Sequence, residues 1–169
     1  MAGMPRSRAL SIVVAIGLLV AVLDQLSKAW ARAALTPGHE VTAIPGWLWF
    51  QLASNSGATL GLGTGLNELF ALLALIIVGA IAVLALQGNI GGMLGVGALG
   101  AVAGGAVGNL VDRVRLGGVT DFIEVDHWPT TFNLSDAAIR LGVLLFVLAL
   151  LLDWTRRPRH GTVGKRRQG

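Results

Sequence analysis

Between Ile90 and Val111 the chain runs for 22 residues without one charged side chain. No other feature limits the possible folds so strongly. A helix needs about 20 mostly apolar residues to cross the hydrocarbon core of a bilayer, and this segment meets that length alone. Eight glycines lie along it, and Gly100, Gly104 and Gly108 recur at four-residue spacing. That spacing puts them on one helical face, where small residues let another helix approach closely. The stripe reads as a packing surface.

Three more apolar stretches accompany it: Ala9 to Leu23, Leu69 to Leu86, and Leu141 to Leu152. The first continues helically through Asp24, Lys28 and Arg32, and the last extends back toward Asp136. The expected spans are therefore 9–32, 68–87, 90–111 and 136–153. The first and fourth are long enough only if their polar ends lie within the membrane boundary. Carboxylates there are costly and mark function. A cleaved signal peptide ending at Ala29-Trp30-Ala31 fits the first stretch poorly, because Asp24 to Arg32 is a charged region.

Composition agrees with lipid as the solvent. Hydrophobic residues make up 54% and charged residues 13%, where soluble domains carry about 25% charged. The length suggests one integral membrane domain over residues 1–169. Of the 13 Lys and Arg, eight lie at the two ends. A basic tail without an aromatic platform is a cytoplasmic membrane flank, not a nucleic-acid surface. Both termini are thus expected in the cytoplasm, with segments of about 33–67 and 112–135 outside, and the tail 156–169 is expected to be disordered. Trp47-Leu48-Trp49-Phe50-Gln51-Leu52 reads as a strand or an interfacial segment.

Absences narrow the chemistry. There is no cysteine, which excludes disulfides, thiol nucleophiles and cysteine metal ligands. His39, His127 and His160 are far apart and make no metal-ligand spacing. No metal and no cofactor are expected.

Two carboxylates remain as candidates for chemistry. Asp121 follows the outer end of the third stretch and Asp136 begins the fourth. If those helices pack antiparallel, both lie at similar depth and face one another. Two close carboxylates share a proton, because each raises the cost of ionising the other. One then serves as general base toward water and its partner as acid toward a carbonyl. Blander readings stand beside this one: a helix N-cap for Asp136, a solvated loop position for Asp121, and Glu124 and Asp126 as rival carboxylates. Asp24 and Lys28 are four apart with the acid first, the favourable order for a helical ion pair. Asp112 and Arg113 end the third stretch, where an arginine suits the helix dipole or a lipid phosphate. Asn55 offers an amide that can bind a peptide backbone.

Taken together, these segments resemble the lipoprotein signal peptidases, or signal peptidase II. Asp24-Gln25-Leu26-Ser27-Lys28 looks like their DQxSK element, and Asn55-Ser56-Gly57-Ala58 like NxGA. Gly105 to Arg113 resembles GAxGNxxDR, Val119-Thr120-Asp121-Phe122 resembles VxDF, and Phe132-Asn133-Leu134-Ser135-Asp136 resembles FNxAD. The resemblance implies an all-α membrane protein of four transmembrane helices, with a small extracytoplasmic β-cradle and a short outer helix. It implies an intramembrane aspartic endopeptidase that cuts prolipoproteins before a diacylglyceryl-modified cysteine. By resemblance Asp121 and Asp136 are catalytic. Asp24, Lys28, Asn55, Gly57, Asn109, Asp112, Arg113 and Asn133 bind substrate or support the site. The expected partners are lipid-modified prolipoproteins and membrane lipid, with no nucleic acid, and the chain is expected to act as a monomer in the plasma membrane with its site near the outer leaflet. Ser135 stands where the family has Ala, a small change expected to do little harm, and Arg140 is an unusual neighbour one turn beyond Asp136. A proton-coupled transporter and a non-catalytic scaffold are the rival readings.

Overall fold

The computed structural model describes residues 4–57, 66–88 and 91–156. Four long helices occupy the expected stretches: α1 (Arg6–Ala34), α2 (Asn67–Gln87), α3 (Gly92–Leu116) and α4 (Leu134–Arg156). All four are long and apolar enough to cross a membrane, and the chain is a multi-pass membrane protein. Most of the expected tail, and Ala58 of the second motif, lie outside the described residues. The short outer helix implied by the resemblance is not found among the described residues.

The central helix is α3. Within its most apolar window 61% of residues are buried inside the bundle, against 17% in each of the other three helices. The glycines explain this. Gly104 of α3 and Gly17 of α1 face each other so closely that a Cβ at Gly104 would lie 2.9 Å from the Cα of Gly17. Gly108 has a second role besides packing. A Cβ there would lie 2.5 Å from an Asp24 carboxylate oxygen, so its hydrogen side chain admits a polar group between helices. Large apolar side chains such as Leu18, Leu26 and Leu144 point outward from α1 and α4, 62%, 62% and 68% exposed, as a lipid-facing surface requires.

The third helix runs five residues beyond the expected end at residue 111. Asp112 does not stop it, because its carboxylate is buried and accepts the backbone N–H of Thr120 at 2.9 Å. The stop comes at Gly117, whose φ of 73° is left-handed and suits glycine.

At one end of the bundle lies a three-stranded antiparallel sheet of β1 (Glu40–Ile44), β2 (Leu48–Asn55) and β3 (Val119–Val125), in that order. The expected strand around Trp47–Leu52 is thus β2, longer than its aromatic part, while Trp47 itself is exposed. Asp121 is not a solvated loop residue. It sits in β3 and is 3% exposed. Pairing of Ala53 with Asp121 and of Asn55 with Val119 sets the register, which brings the Asn55 side chain alongside Asp121. The sheet is seated on the end of α1 by Ala31, Leu35 and Phe122, with Trp30 edge-on to Phe50 and Phe122 at 5.4 and 6.0 Å.

Candidate active site

A cavity of about 280 Å³ opens where β3, α3 and α4 meet, and both Asp121 and Asp136 line it. Asn55, Gly57, Asn109 and Arg113 also contribute, so six of the residues singled out in the sequence share one wall. Phe70, Val119 and Ile139 supply the apolar part. Glu124 and Asp126 are not part of this lining. Glu124 pairs opposite Trp49 in the sheet, and Asp126 is a surface residue bonded to His127 at 2.5 Å.

Asn133 joins the two aspartates. Its Oδ1 accepts the backbone N–H of Asp136 at 2.9 Å, and its Nδ2 donates to Oδ1 of Asp121 at 2.6 Å. Asn133, and not Asp136, is therefore the N-cap of α4, and Asp136 falls three residues later in the first turn. That placement frees the Asp136 carboxylate to face the cavity. A backbone N–H can only donate, so the carbonyl side of the Asn133 amide must face α4 and its NH₂ must face Asp121. The second amide N–H of this helix end is satisfied from another helix, since Ser135 donates to Oδ1 of Asp24 at 2.8 Å. An acid at a helix N-terminus is favourable.

Each carboxylate receives amide donors. Asp121 accepts from Asn133 and, at 3.1 Å, from Nδ2 of Asn55. Asn55 in turn accepts the N–H of Gly57 at 3.0 Å, which turns the chain sharply after β2. Asp136 accepts from Nδ2 of Asn109 at 2.8 Å, while Oδ1 of Asn109 accepts from Nζ of Lys28 at 2.8 Å. Lysine has only donors, so this orientation of Asn109 is forced.

Behind this wall is an ion network with a fully buried centre. Lys28 and Asp24, both 0% exposed, pair at 2.8 Å, and Lys28 lies 3.6 Å from Asp112. Asp112 also accepts from Gln25 at 3.1 Å and lies 3.7 Å from Arg32. Arg32 donates to the Thr120 hydroxyl at 2.8 Å. Asp112 thus ties β3 to α3 through the residue next to Asp121. Arg113 points the other way, donating to the carbonyl of Gly57 at 3.2 Å and lying over the Phe70 ring at 5.5 Å. Arg140 does line the cavity, with its guanidinium 5.1 Å from the Trp128 ring and 5.4 Å from that of Phe132.

Electrostatics separates the two aspartates from the network. Burial, and after it the negative charge of Asp136, push the pKa of Asp121 from its ordinary 3.8 up to about 6, against the partial opposition of the Asn133 and Asn55 amides. Asp121 so resists ionisation near the pH at which proton transfer is useful.

Sequence reasoning did not single out Gln25, Arg32 or Thr120 as part of the site. Gln25 stood inside a quoted motif, one turn before Ala29, yet glutamine on an apolar helix is an equally ordinary packing residue. Thr120 acts mainly through its backbone N–H, which leaves no mark on residue type.

A bundle of four membrane-crossing helices with paired carboxylates in a cavity at one end defines an integral membrane protein whose site suits proton transfer. Comparison with known proteins carries this to a family. Residues 16–152 match the family described as signal peptidase (SPase) II. The lipoprotein signal peptidase of Syntrophomonas wolfei is 38% identical over 143 residues, covering 85% of this chain and 95% of that protein. That of Pseudomonas aeruginosa strain UCBPP-PA14 is 42% identical over 156 residues, covering 86% and 89%. A bacterial membrane enzyme solved by the in meso method at 2.3 Å superposes with a TM-score of 0.79 and 28% identity, over 90% of this chain and 94% of that one. The chain belongs to the signal peptidase II family and is a protease of that type.

Proposed function

We propose that this protease cleaves prolipoprotein signal peptides just before a lipid-modified cysteine, with Asp121 and Asp136 activating water. One observation carries the reading: both carboxylates line a single cavity, where one amide, Asn133, ties the Asp121 carboxylate to the Asp136 backbone. Because ionising one disfavours ionising the other, the pair keeps a shared proton up to about pH 6. The raised pKa of Asp121 makes it the natural holder. Asp136, with Oδ1 held by Asn109, takes a proton from a water in the cavity. The resulting hydroxide oxygen bonds to the scissile carbonyl carbon while Asp121 gives its proton to the carbonyl oxygen. The tetrahedral species then collapses: Asp136 returns its proton to the leaving amine as the C–N bond breaks, and Asp121 recovers a proton from the diol hydroxyl.

Substrate entry from the bilayer follows the helix arrangement. Phe70 of α2 and Ile139 of α4 both line the cavity, yet α2 packs mainly on α3 and makes no comparable contact with α4. A substrate helix enters between them while its acyl chains stay in lipid. The basic ends place both termini in the cytoplasm, so the sheet and the dyad face the outer leaflet.

The test is hydrolysis of a synthetic diacylglyceryl prolipoprotein by the purified full-length protein in the presence of EDTA. Cleavage immediately before the modified cysteine is expected, with none by Asp121→Asn. Cleavage elsewhere, or equal turnover by the variant, rejects the reading.

A further inference from the structure

A second feature along α1 lies outside the dyad cavity and borders the network behind it. A cleft of about 380 Å³ is walled by Leu18, Ala21 and Leu26, and it carries Gln25, Arg32 and Arg115. A narrower cleft of about 210 Å³ shares Leu18 and Ala21 with it and continues along α1 past Gly17, against Ile81 of α2. The two make one groove along α1, apolar over most of its length and cationic at one end. Neither shares a residue with the dyad cavity.

We propose that this groove binds one membrane phospholipid, its phosphate held between Arg32 and Arg115 and one acyl chain lying along α1 toward Gly17. Charge complementarity selects the occupant. Two guanidinium groups at the mouth of an apolar groove match a phosphate at the head of a hydrocarbon chain, and arginine recognises phosphate through paired N–H donors. Arg115 is exposed and makes no hydrogen bond or ion pair among the described residues, whereas Arg32 is already turned toward Thr120.

Depth agrees as well. Both arginines lie at the C-terminal ends of their helices, on the side of the sheet. From Arg32 to Leu18 is about 21 Å at the helical rise of 1.5 Å per residue. One leaflet is about 15 Å of hydrocarbon, so a chain whose head rests on Arg32 runs along the wider cleft to about Val22. The site adjoins the catalytic wall, because Arg32 donates to Thr120, the neighbour of Asp121. The inference stands on this groove alone, whether or not the proposed substrate is right.

The test uses the full-length protein in detergent, with dioleoyl phosphatidylglycerol and, as a phosphate-free control, dioleoylglycerol. Native mass spectrometry reads retained lipid, and thermal unfolding reads stabilisation, since a ligand that binds only the folded state raises the midpoint. Wild type should keep a single phosphatidylglycerol adduct and gain stability from that lipid, but not from dioleoylglycerol. Arg115→Gln should weaken retention roughly fivefold, the worth of one interfacial cation. Val22→Trp fills the wider cleft within reach of the acyl chain. At 53% exposed this position tolerates a large side chain, so the variant should fold yet lose the adduct. Equal retention by all three proteins, or equal stabilisation by dioleoylglycerol, overturns the proposal. So does a dimer mass in place of the lipid adduct, which would make the groove a contact between copies. If the arginines serve only the helix dipoles, Arg115→Gln lowers the midpoint equally with and without lipid, and that result also overturns it.

Discussion

The protein holds two carboxylate pairs within one bundle and treats them in opposite ways. Asp24 and Asp112 lie behind α3 with the Lys28 ammonium between them, at 2.8 and 3.6 Å. Asp121 and Asp136 lie in front, facing a cavity, and receive hydrogen bonds from the neutral amides of Asn133, Asn55 and Asn109. The rear carboxylates are tied to a buried cation and hold the helices together. The front ones meet neutral amide donors and the cavity, where a proton can be exchanged. Asn109 is the boundary, with the lysine on its carbonyl side and Asp136 on its amide side. The position of the cation, more than that of the carboxylates, separates scaffold from candidate chemistry.

The largest effect that can break this comparison is loss of a front aspartate. Asp121→Asn and Asp136→Asn should each lower turnover by at least the roughly 10²–10⁴-fold typical of acid–base groups. The double variant should be little worse, since the pair acts as one unit. Single-turnover cleavage of the lipidated substrate measures this. Multiplying effects would show two independent groups, and near-normal turnover by a folded single variant would end the assignment.

Next comes the rear pair. Removing Lys28 strands two buried carboxylates, at a cost of roughly 3–5 kcal/mol. Lys28→Ala should therefore unfold at markedly lower temperature than Arg32→Ala, because Arg32 is 32% exposed and sits 3.7 Å from its partner. Equal, mild losses would place water beside Lys28 and erase the contrast between the two pairs.

How far the sequence reveals this contrast depends on the residue. The glycine stripe and the uncharged stretch of α3 announce the central helix, because lipid burial demands such composition. Asp24 and Lys28 advertise an ion pair through helical spacing. Asn133 was legible as a motif position but not as the joint of the site. An asparagine before a helix reads equally well as any cap, and its link to Asp121 requires a strand that pairs with β2. Strand β3 itself is marked by no alternation that survives burial on both faces, as Val119 to Phe122 are all buried. The latch from Asp112 to Thr120 uses a backbone donor, which no side-chain pattern encodes.

A pH experiment sharpens the comparison further. Asp121 titrates at about 6 in the folded protein, against 3.8 ordinarily. Between those values the folded state binds more protons than the unfolded one, so Asp121 withdraws stability as pH rises through the window. The full penalty is present above about pH 6 and absent below about pH 4. At 1.36 kcal/mol per pKa unit it amounts to roughly 3 kcal/mol. Asp121→Asn should therefore be more stable than wild type at pH 8, with the difference shrinking toward pH 4. Denaturation in mild detergent across that range measures it. A gap that grows on acidification would mean that Asp121 is stabilised as the anion, like the rear pair.

The smallest effect lies where the two regions touch. Ser135 stands between them, its backbone N–H bonded to Asp24 of the rear and its chain neighbour being Asp136 of the front. The hydroxyl is fully buried, and its oxygen has no hydrogen-bond partner among the described residues. A buried, unsatisfied hydroxyl costs about 1–3 kcal/mol, whereas the backbone bond to Asp24 survives any side-chain change. Ser135→Ala should thus raise stability by up to about 1 kcal/mol, after the small loss of packing, and leave turnover and its pH profile unchanged. Thermal unfolding and single-turnover cleavage together decide it. A drop in turnover with no loss of stability would show that the hydroxyl reaches the front carboxylates, and the division between a structural and a reactive pair would then have to be redrawn to include Ser135.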